Sequence, residues 1–301
     1  MRMLLILQGS ISLGVLWTIM VLGVFMTFRI LQTPDLSVEG TIVLGAAMTA
    51  RMIADGANPF AATAMSMLIG CAAGLCTGIL HTKFKIPAIL AGILTMIGAY
   101  SVVIRILGSA NVSLLRMTTV FTFLQNMGLS SRNSVILFGG VFACIVGALL
   151  YCFFGTEVGA AMRATGNNRN MVKAQGINVD AMVILCLMIA NGLVGLAGSL
   201  IAQDQGFASA DMGAGTIVIG LASVIIAEVL FRVRMVWARL ISLLAGAIIY
   251  RLVIALVLEM GMAPTDLRLF QALTVVVCLS LPLIRERLLK APTLGGGAKN
   301  A

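Results

Sequence analysis

Few charged or nucleophilic side chains in this chain stand at a spacing that supports catalysis. Asp35 and Glu39 lie four residues apart, as a helical pair of carboxyls would, but no His-Glu metal motif or Ser-Lys arrangement accompanies them in the apolar runs. The cysteines (Cys71, Cys76, Cys144, Cys152, Cys186, Cys278) all fall inside apolar runs, and Cys71 and Cys76 are not at a metal-ligand spacing, so they read as small buried hydrophobes. His81 stands alone beside Lys83 and Lys85 and reads as a solvated loop residue. Gly295-Gly296-Gly297-Ala298-Lys299 lacks the spacing, the Ser/Thr and the preceding strand of a phosphate-binding loop. An intramembrane enzyme is therefore disfavoured, and the polar chemistry that remains is concentrated in one stretch, Gly155 to Asp180 (GTEVGAAMRATGNNRNMVKAQGINVD).

That stretch carries helix starts and stops. Thr156 can cap a short helix running to about Ala164, Gly166 with Asn167 can break it, and Asn167 or Asn168 can cap a second short helix. Gly176 before Ile177 reads as a left-handed stop with an apolar staple, and Asp180 can cap the next span. Small residues (Gly159, Ala160, Ala164) with a few cations suit insertion into a groove on another protein. A plain loop is the alternative, although loops between spans are ordinarily shorter.

The elements around the cassette read as membrane. The chain is 60% hydrophobic and 10% charged, which excludes a soluble fold and predicts an all-α polytopic membrane protein. Hydrophobic passes are expected at 4–28, 41–54, 60–80, 87–107, 135–154, 181–203, 214–231, 237–258 and 267–284; the second is short and the mixed segment 108–134 could hold a lateral helix. The first is too long for a signal-peptide core and reads as a retained span. Threaded alternately, these passes place Lys83/Lys85, Arg163/Arg169/Lys173, Arg232/Arg234/Arg239 and Arg285/Arg287/Lys290 on one side, which the excess of cations makes cytoplasmic. Arg116, Arg132 and Arg268 fall on the other. The N-terminus is then outside and the C-terminus inside. The net charge of +9 is mostly topology, and no basic patch on a soluble domain points to nucleic acid.

The run Gly40-Thr41-Ile42-Val43-Leu44-Gly45 recurs as Gly215-Thr216-Ile217-Val218-Ile219-Gly220. By the threading the two passes run in opposite directions, as in an inverted repeat, although apolar sequence also repeats by chance. Such repeats place broken helices and a transport path at their interface. Each run follows a polar stretch, and non-helical backbone at membrane depth survives only in protein or beside a water-filled cavity. Asp35, Ser37, Glu39, Gly40, Asp211 and Gly215 are therefore candidate pathway residues, with an ordinary interfacial loop as the alternative. Arg251, mid-pass, needs a partner; Glu228 is the best placed, unless it bridges to Arg232 four residues on. Arg51 and Asp55 are expected to pair. Gly- and Ala-rich segments (70–74, 192–198) allow close helix crossing and point to a packed, oligomeric bundle.

The cassette Gly155-Thr156, Gly159, Arg163-Ala164-Thr165-Gly166-Asn167-Asn168, Ala174-Gln175-Gly176-Ile177-Asn178, followed by the span with Gly192, Gly195 and Gly198, resembles the coupling region of permease subunits in the branched-chain amino acid/ribose family of bacterial ATP-binding-cassette (ABC) importers. Phe28-Arg29-Ile30-Leu31 and Pro34-Asp35-Leu36-Ser37-Val38-Glu39-Gly40 resemble a narrower tryptophan/tyrosine-type subgroup. The resemblance covers nearly the whole chain; Glu228-Val229-Leu230-Phe231 departs from it, where many relatives carry glycines. It implies one type II importer-like permease domain over 1–301, with about eight to ten transmembrane helices and coupling helices at 155–180. It implies a cytoplasmic ABC ATPase that holds the ATP, with no cofactor on this chain, an extracytoplasmic solute-binding protein, a second permease copy and membrane lipid around them. The location implied is the bacterial inner membrane, and the solute an amino acid, aromatic or branched-chain, although a path with few fixed charges also suits a nucleoside or a sugar. Glu157, Gly159, Arg163, Ala164, Gly166, Asn168 and Gly176 carry the coupling in this reading: Arg163 makes a polar contact, Gly159 admits the partner, and Gly166 and Gly176 reverse the chain. An ion-coupled secondary transporter, which also uses inverted repeats, is the alternative.

Overall fold

A computed structural model describes residues 2–231, 233, 235–259, 269–274, 276, 277 and 280. Half of the expected ninth pass (267–284) falls outside these residues, as do Cys278, Arg232, Arg234, Arg268, Arg285, Arg287 and Lys290. The described elements are α1 (Arg2–Phe25) running into a π-helical turn (Met26–Ile30), α2 (Val38–Ala54), α3 (Pro59–Thr82), α4 (Ala88–Leu107), β1 (Asn111–Ser113), α5 (Thr122–Asn126), α6 (Ser131–Gly155), α7 (Glu157–Asn167), α8 (Arg169–Ala174), α9 (Val179–Gln205), β2 (Phe207–Ser209), α10 (Thr216–Phe231) and α11 (Val236–Glu259).

Among the described residues, six helices are long and apolar enough to cross a membrane: Ile6–Ile30, Pro59–Thr82, Ala88–Leu107, Ser131–Gly155, Val179–Gln205 and Val236–Glu259. The chain is an all-α multi-pass membrane protein. The expected passes at 41–54 and 214–231 are the shorter helices α2 and α10, and the mixed segment 108–134 holds β1 and the single-turn α5.

Helices α1 and α9 form the centre. Both are mostly buried and carry no separate polar face, the pattern of a helix in the interior of a bundle. They run antiparallel, with Gly23 against Ala190 and Val194, and the Cys186 Sγ donating to the Met26 carbonyl. Around them the repeats are disposed in exchange: α9 packs on α2 and α3, while α1 packs on α10 and α11. α2 runs parallel to α9 (Thr41 beside Asn191, Thr49 beside Ser199), and α10 runs parallel to α1 (Gly220 beside Met20 and Val24). Since α1 and α9 oppose each other, α2 and α10 also oppose each other, so the repeated runs open two inverted helices.

Lipid supplies no hydrophobic drive for one helix to seek another, so close packing and interhelical hydrogen bonds hold the bundle. At Gly195 a Cβ would strike the Ser66 carbonyl oxygen, which fixes how closely α3 crosses α9. A polar ladder joins α2, α3 and α9: Thr49 Oγ1 donates to Ser199 Oγ (2.8 Å), and Gln203 Nε2 donates to Thr63 Oγ1 (2.9 Å). The Val120 N–H donates to Gln203 Oε1, tying the 108–130 connection over the end of α9, where β1 and β2 pair antiparallel.

The expected pairing of Glu228 with Arg251 requires correction; the alternative partner, Arg232, lies outside the described residues. The Glu228 carboxylate pairs with Arg29 Nε at 2.7 Å, while the Arg251 guanidinium lies 4.1 Å from the Trp17 ring centroid. The parallel packing of α10 on α1 brings Glu228 to Arg29, whereas Arg251 points toward α1. A guanidinium at membrane depth costs about 2.5–3.5 kcal/mol on the insertion scale, of which an aromatic face returns up to ~2 kcal/mol. Arg51 and Asp55 do pair, at 3.0 Å. His81 is half-buried, its Nδ1 2.8 Å from the Ile86 carbonyl, rather than solvated. Of the cysteines, Cys186 is buried, but Cys76, Cys144 and Cys152 are exposed on apolar outer faces.

Candidate functional site

Helix α2 begins inside the bundle. Gly40 lies against Met96 and Ala99 of α4, about 12 Å into that ~30 Å helix at 1.5 Å per residue. Helix α10 also begins at depth, after the chain turns back from β2. The two starts meet: the Gly215 N–H donates to Glu39 Oε1 at 3.0 Å, and Gly213 packs against the Glu39 carbonyl and Val43. Gly215 holds φ +81°, a left-handed conformation that favours glycine. The Glu39 carboxyl thus caps the opening turn of the opposite repeat, where the N-terminal amides carry partial positive charge.

Beside this junction lies a cavity of about 430 Å³, lined by Glu39, Gly40 and Val43 of α2, Met96, Ile97, Tyr100, Ser101 and Val103 of α4, and Ala210, Asp211, Gly213 and Ala214. It combines two carboxyls with an apolar wall bearing one phenol. Asp35 and Ser37 are placed differently from the expected lining. Both are buried, in a knot around Asn191: Ser37 Oγ and Thr41 Oγ1 donate to Asn191 Oδ1 (3.1 and 2.8 Å), and Asn191 Nδ2 donates to Asp35 Oδ2 (2.7 Å). The Ser37 N–H also donates to Asp35 Oδ1, which fixes the turn into α2. Asn191 was not singled out in the sequence; an amide inside a Gly/Ala-rich pass was the available signal.

The cassette folds as α7 and α8. Thr156 Oγ1 accepts from the Gly159 N–H, and Asn168 Oδ1 from the Met171 N–H, so both caps fall at expected residues. Three expectations need correction. Helix α7 continues through Gly166 to Asn167, because Gly166 serves close approach rather than chain reversal: a Cβ there would strike the Ile30 carbonyl oxygen. Gly159 faces the chain's own Phe153 carbonyl, not outward. Asn178, not Asp180, caps α9, accepting from the Ala181 N–H. Gly176 has φ +79° at the stop.

Glu157, Arg163 and Asn168 are exposed, Ala164 is half-buried, and Met162 and Thr165 face inward. Arg169 Nη2 donates to Thr33 Oγ1 (3.0 Å), so the cassette touches the chain between α1 and α2 at both Ile30 and Thr33. A pocket of about 250 Å³ lined by His81, Lys85, Arg169 and Lys173 shows that the α3–α4 turn shares this end.

A bundle with two inverted broken helices meeting at a mid-depth cavity, and an ordered surface cassette beneath it, defines a transport permease. The family model for the branched-chain amino acid transport system permease component matches residues 6–280, and the chain belongs to that family. It is 39% identical over 277 residues to the tyrosine transport system permease protein of Clostridioides difficile (strain R20291), covering 91% of each chain. It is 28% identical over 205 residues to the ribose import permease protein RbsC of Escherichia coli (strain K12), covering 65% of this chain and 60% of the relative. No solved structure matches.

Proposed function

We propose that this chain is the permease subunit of an ABC importer in the bacterial inner membrane, with an outer N-terminus and an inner C-terminus, and that its solute is an amino acid. The observation that carries the reading is the contact of α7 and α8 with Ile30 and Thr33, because the same short segment leads into the start of α2 at the cavity. Movement of the cassette by a cytoplasmic ATPase, which holds the ATP, reaches Glu39 through that segment, alongside α6 and α9. Arg163, with Glu157 and Asn168 on the exposed face, meets the ATPase; Gly159, Ala164, Gly166 and Gly176 shape the cassette that presents it. Carboxyls opening at mid-depth do not tolerate lipid, which supports a second copy facing the cavity. An extracytoplasmic binding protein supplies the solute, and the tyrosine system named for the Clostridioides difficile relative supports an aromatic one.

Glu39 and Asp211 at mid-depth equally suit an ion-coupled carrier. Purification with associated proteins, followed by ATPase assays with and without Arg163→Glu, separates the two. A stoichiometric ATPase is expected, with association and solute-stimulated turnover that fall in the variant. Full uptake by the chain alone, driven by an ion gradient, would overturn this assignment.

A further inference from the structure

We propose that the cleft between α1, α6 and α11 binds the phosphate of an anionic lipid. This cleft, of about 330 Å³, lies apart from the solute cavity and holds two guanidinium groups, Arg132 at the start of α6 and Arg251 deeper on α11. Its other walls include Ser10, Leu13, Ile254 and Leu258. Arg251 stacks on Trp17, and its buried Nε has no hydrogen-bond partner among the described residues. The carboxylate expected for it belongs to Arg29 at the opposite end of α1. Both arginines lie in the half of the molecule away from the cassette, where the distribution of cations does not explain them as topology signals.

A planar guanidinium presents paired donors to phosphate oxygens, and a cation at each of two depths can hold one headgroup from above and below. The apolar walls decide between sources. A lipid phosphodiester brings acyl chains to cover Leu13, Ile254 and Leu258, whereas inorganic phosphate would shed water against them and gain nothing. Lipid held here would touch neither the solute cavity nor the cassette.

The test uses the full chain, reconstituted in phosphatidylglycerol or phosphatidylcholine, re-extracted in mild detergent and weighed intact by native mass spectrometry. Retention of phosphatidylglycerol should exceed that of phosphatidylcholine, and Arg251→Gln and Arg132→Gln should each reduce it about fivefold, the loss expected for one surface cation. Arg132→Gln leaves the Trp17 stack intact, and its melting temperature in detergent, unchanged from the parent, shows that the retention is read in a folded protein. Arg105→Gln, an exposed cation ending α4, should change nothing. Equal retention of the two lipids, or unchanged retention in Arg132→Gln, overturns the proposal. So does displacement of the lipid by millimolar inorganic phosphate, which would mark a free-anion site.

Discussion

Replacing Asn191 with leucine, which keeps the branched side-chain skeleton but not the amide, should destabilise the protein well beyond the loss of one side chain. The amide accepts from Ser37 and Thr41 and donates to Asp35, three bonds between α9 and the α2 region, and all four residues are buried. Interhelical hydrogen bonds within membranes average about 0.6 kcal/mol each, so three supply ~2 kcal/mol. Leucine also strips the Asp35 carboxyl of one donor and leaves two buried hydroxyls without their acceptor; an unsatisfied buried group costs about 1–3 kcal/mol. Partial relaxation lowers that sum, and we expect a loss of about 2–4 kcal/mol. The assay is reversible denaturation in mixed micelles followed by tryptophan fluorescence. A double-mutant cycle with Asp35→Leu should return a coupling of about 1 kcal/mol or more. A loss below ~0.5 kcal/mol with no coupling would refute the knot as a stabilising element.

Gly166→Leu should force α7 off Ile30 and abolish solute-stimulated ATP hydrolysis in the assembled transporter while surface expression persists; intact stimulation would exclude this contact from coupling. Gly195→Leu should cost more than about 3 kcal/mol, since the Ser66 backbone cannot yield as a side chain would, and heating in detergent should show early aggregation. Arg51→Ala should stay within about 0.5 kcal/mol of the parent in the same denaturation assay, because its ion pair is half exposed. Glu39→Gln keeps an acceptor for the Gly215 N–H but removes the charge, so uptake in vesicles should fall while stability holds; unchanged uptake would exclude a role for that charge.

Local signals were legible where they depend on neighbours in sequence. Thr156 and Asn168 cap the cassette helices because capping needs only a side-chain oxygen and an amide a few residues on. The repeat of GTIVLG as GTIVIG marked the starts of α2 and α10, since both turns must resume a helix at depth. Partners set by tertiary packing were not legible. Glu228 finds Arg29 across two helices distant in sequence, and Gly166 reads locally as a breaker although its missing Cβ serves the remote Ile30 carbonyl. Asp35 and Glu39 look alike in sequence, yet one turn separates a buried knot from a cavity wall.

The inverted halves match in backbone plan but differ in the bonds that hold them. Thr41 gives its hydroxyl to Asn191 on a neighbouring helix, while its counterpart Thr216 gives its own to Gly213 in the adjacent turn. Glu39 has Ala214 as its counterpart, so the acid that spans the junction comes from one half alone. On the other side Gly220 packs directly against Met20 and Val24 of α1. The first half is thus fastened by hydrogen bonds to Asn191 and the second by the Arg29–Glu228 ion pair and close apolar contacts, so a bundle that is pseudo-symmetric in backbone is unequal in its fastenings.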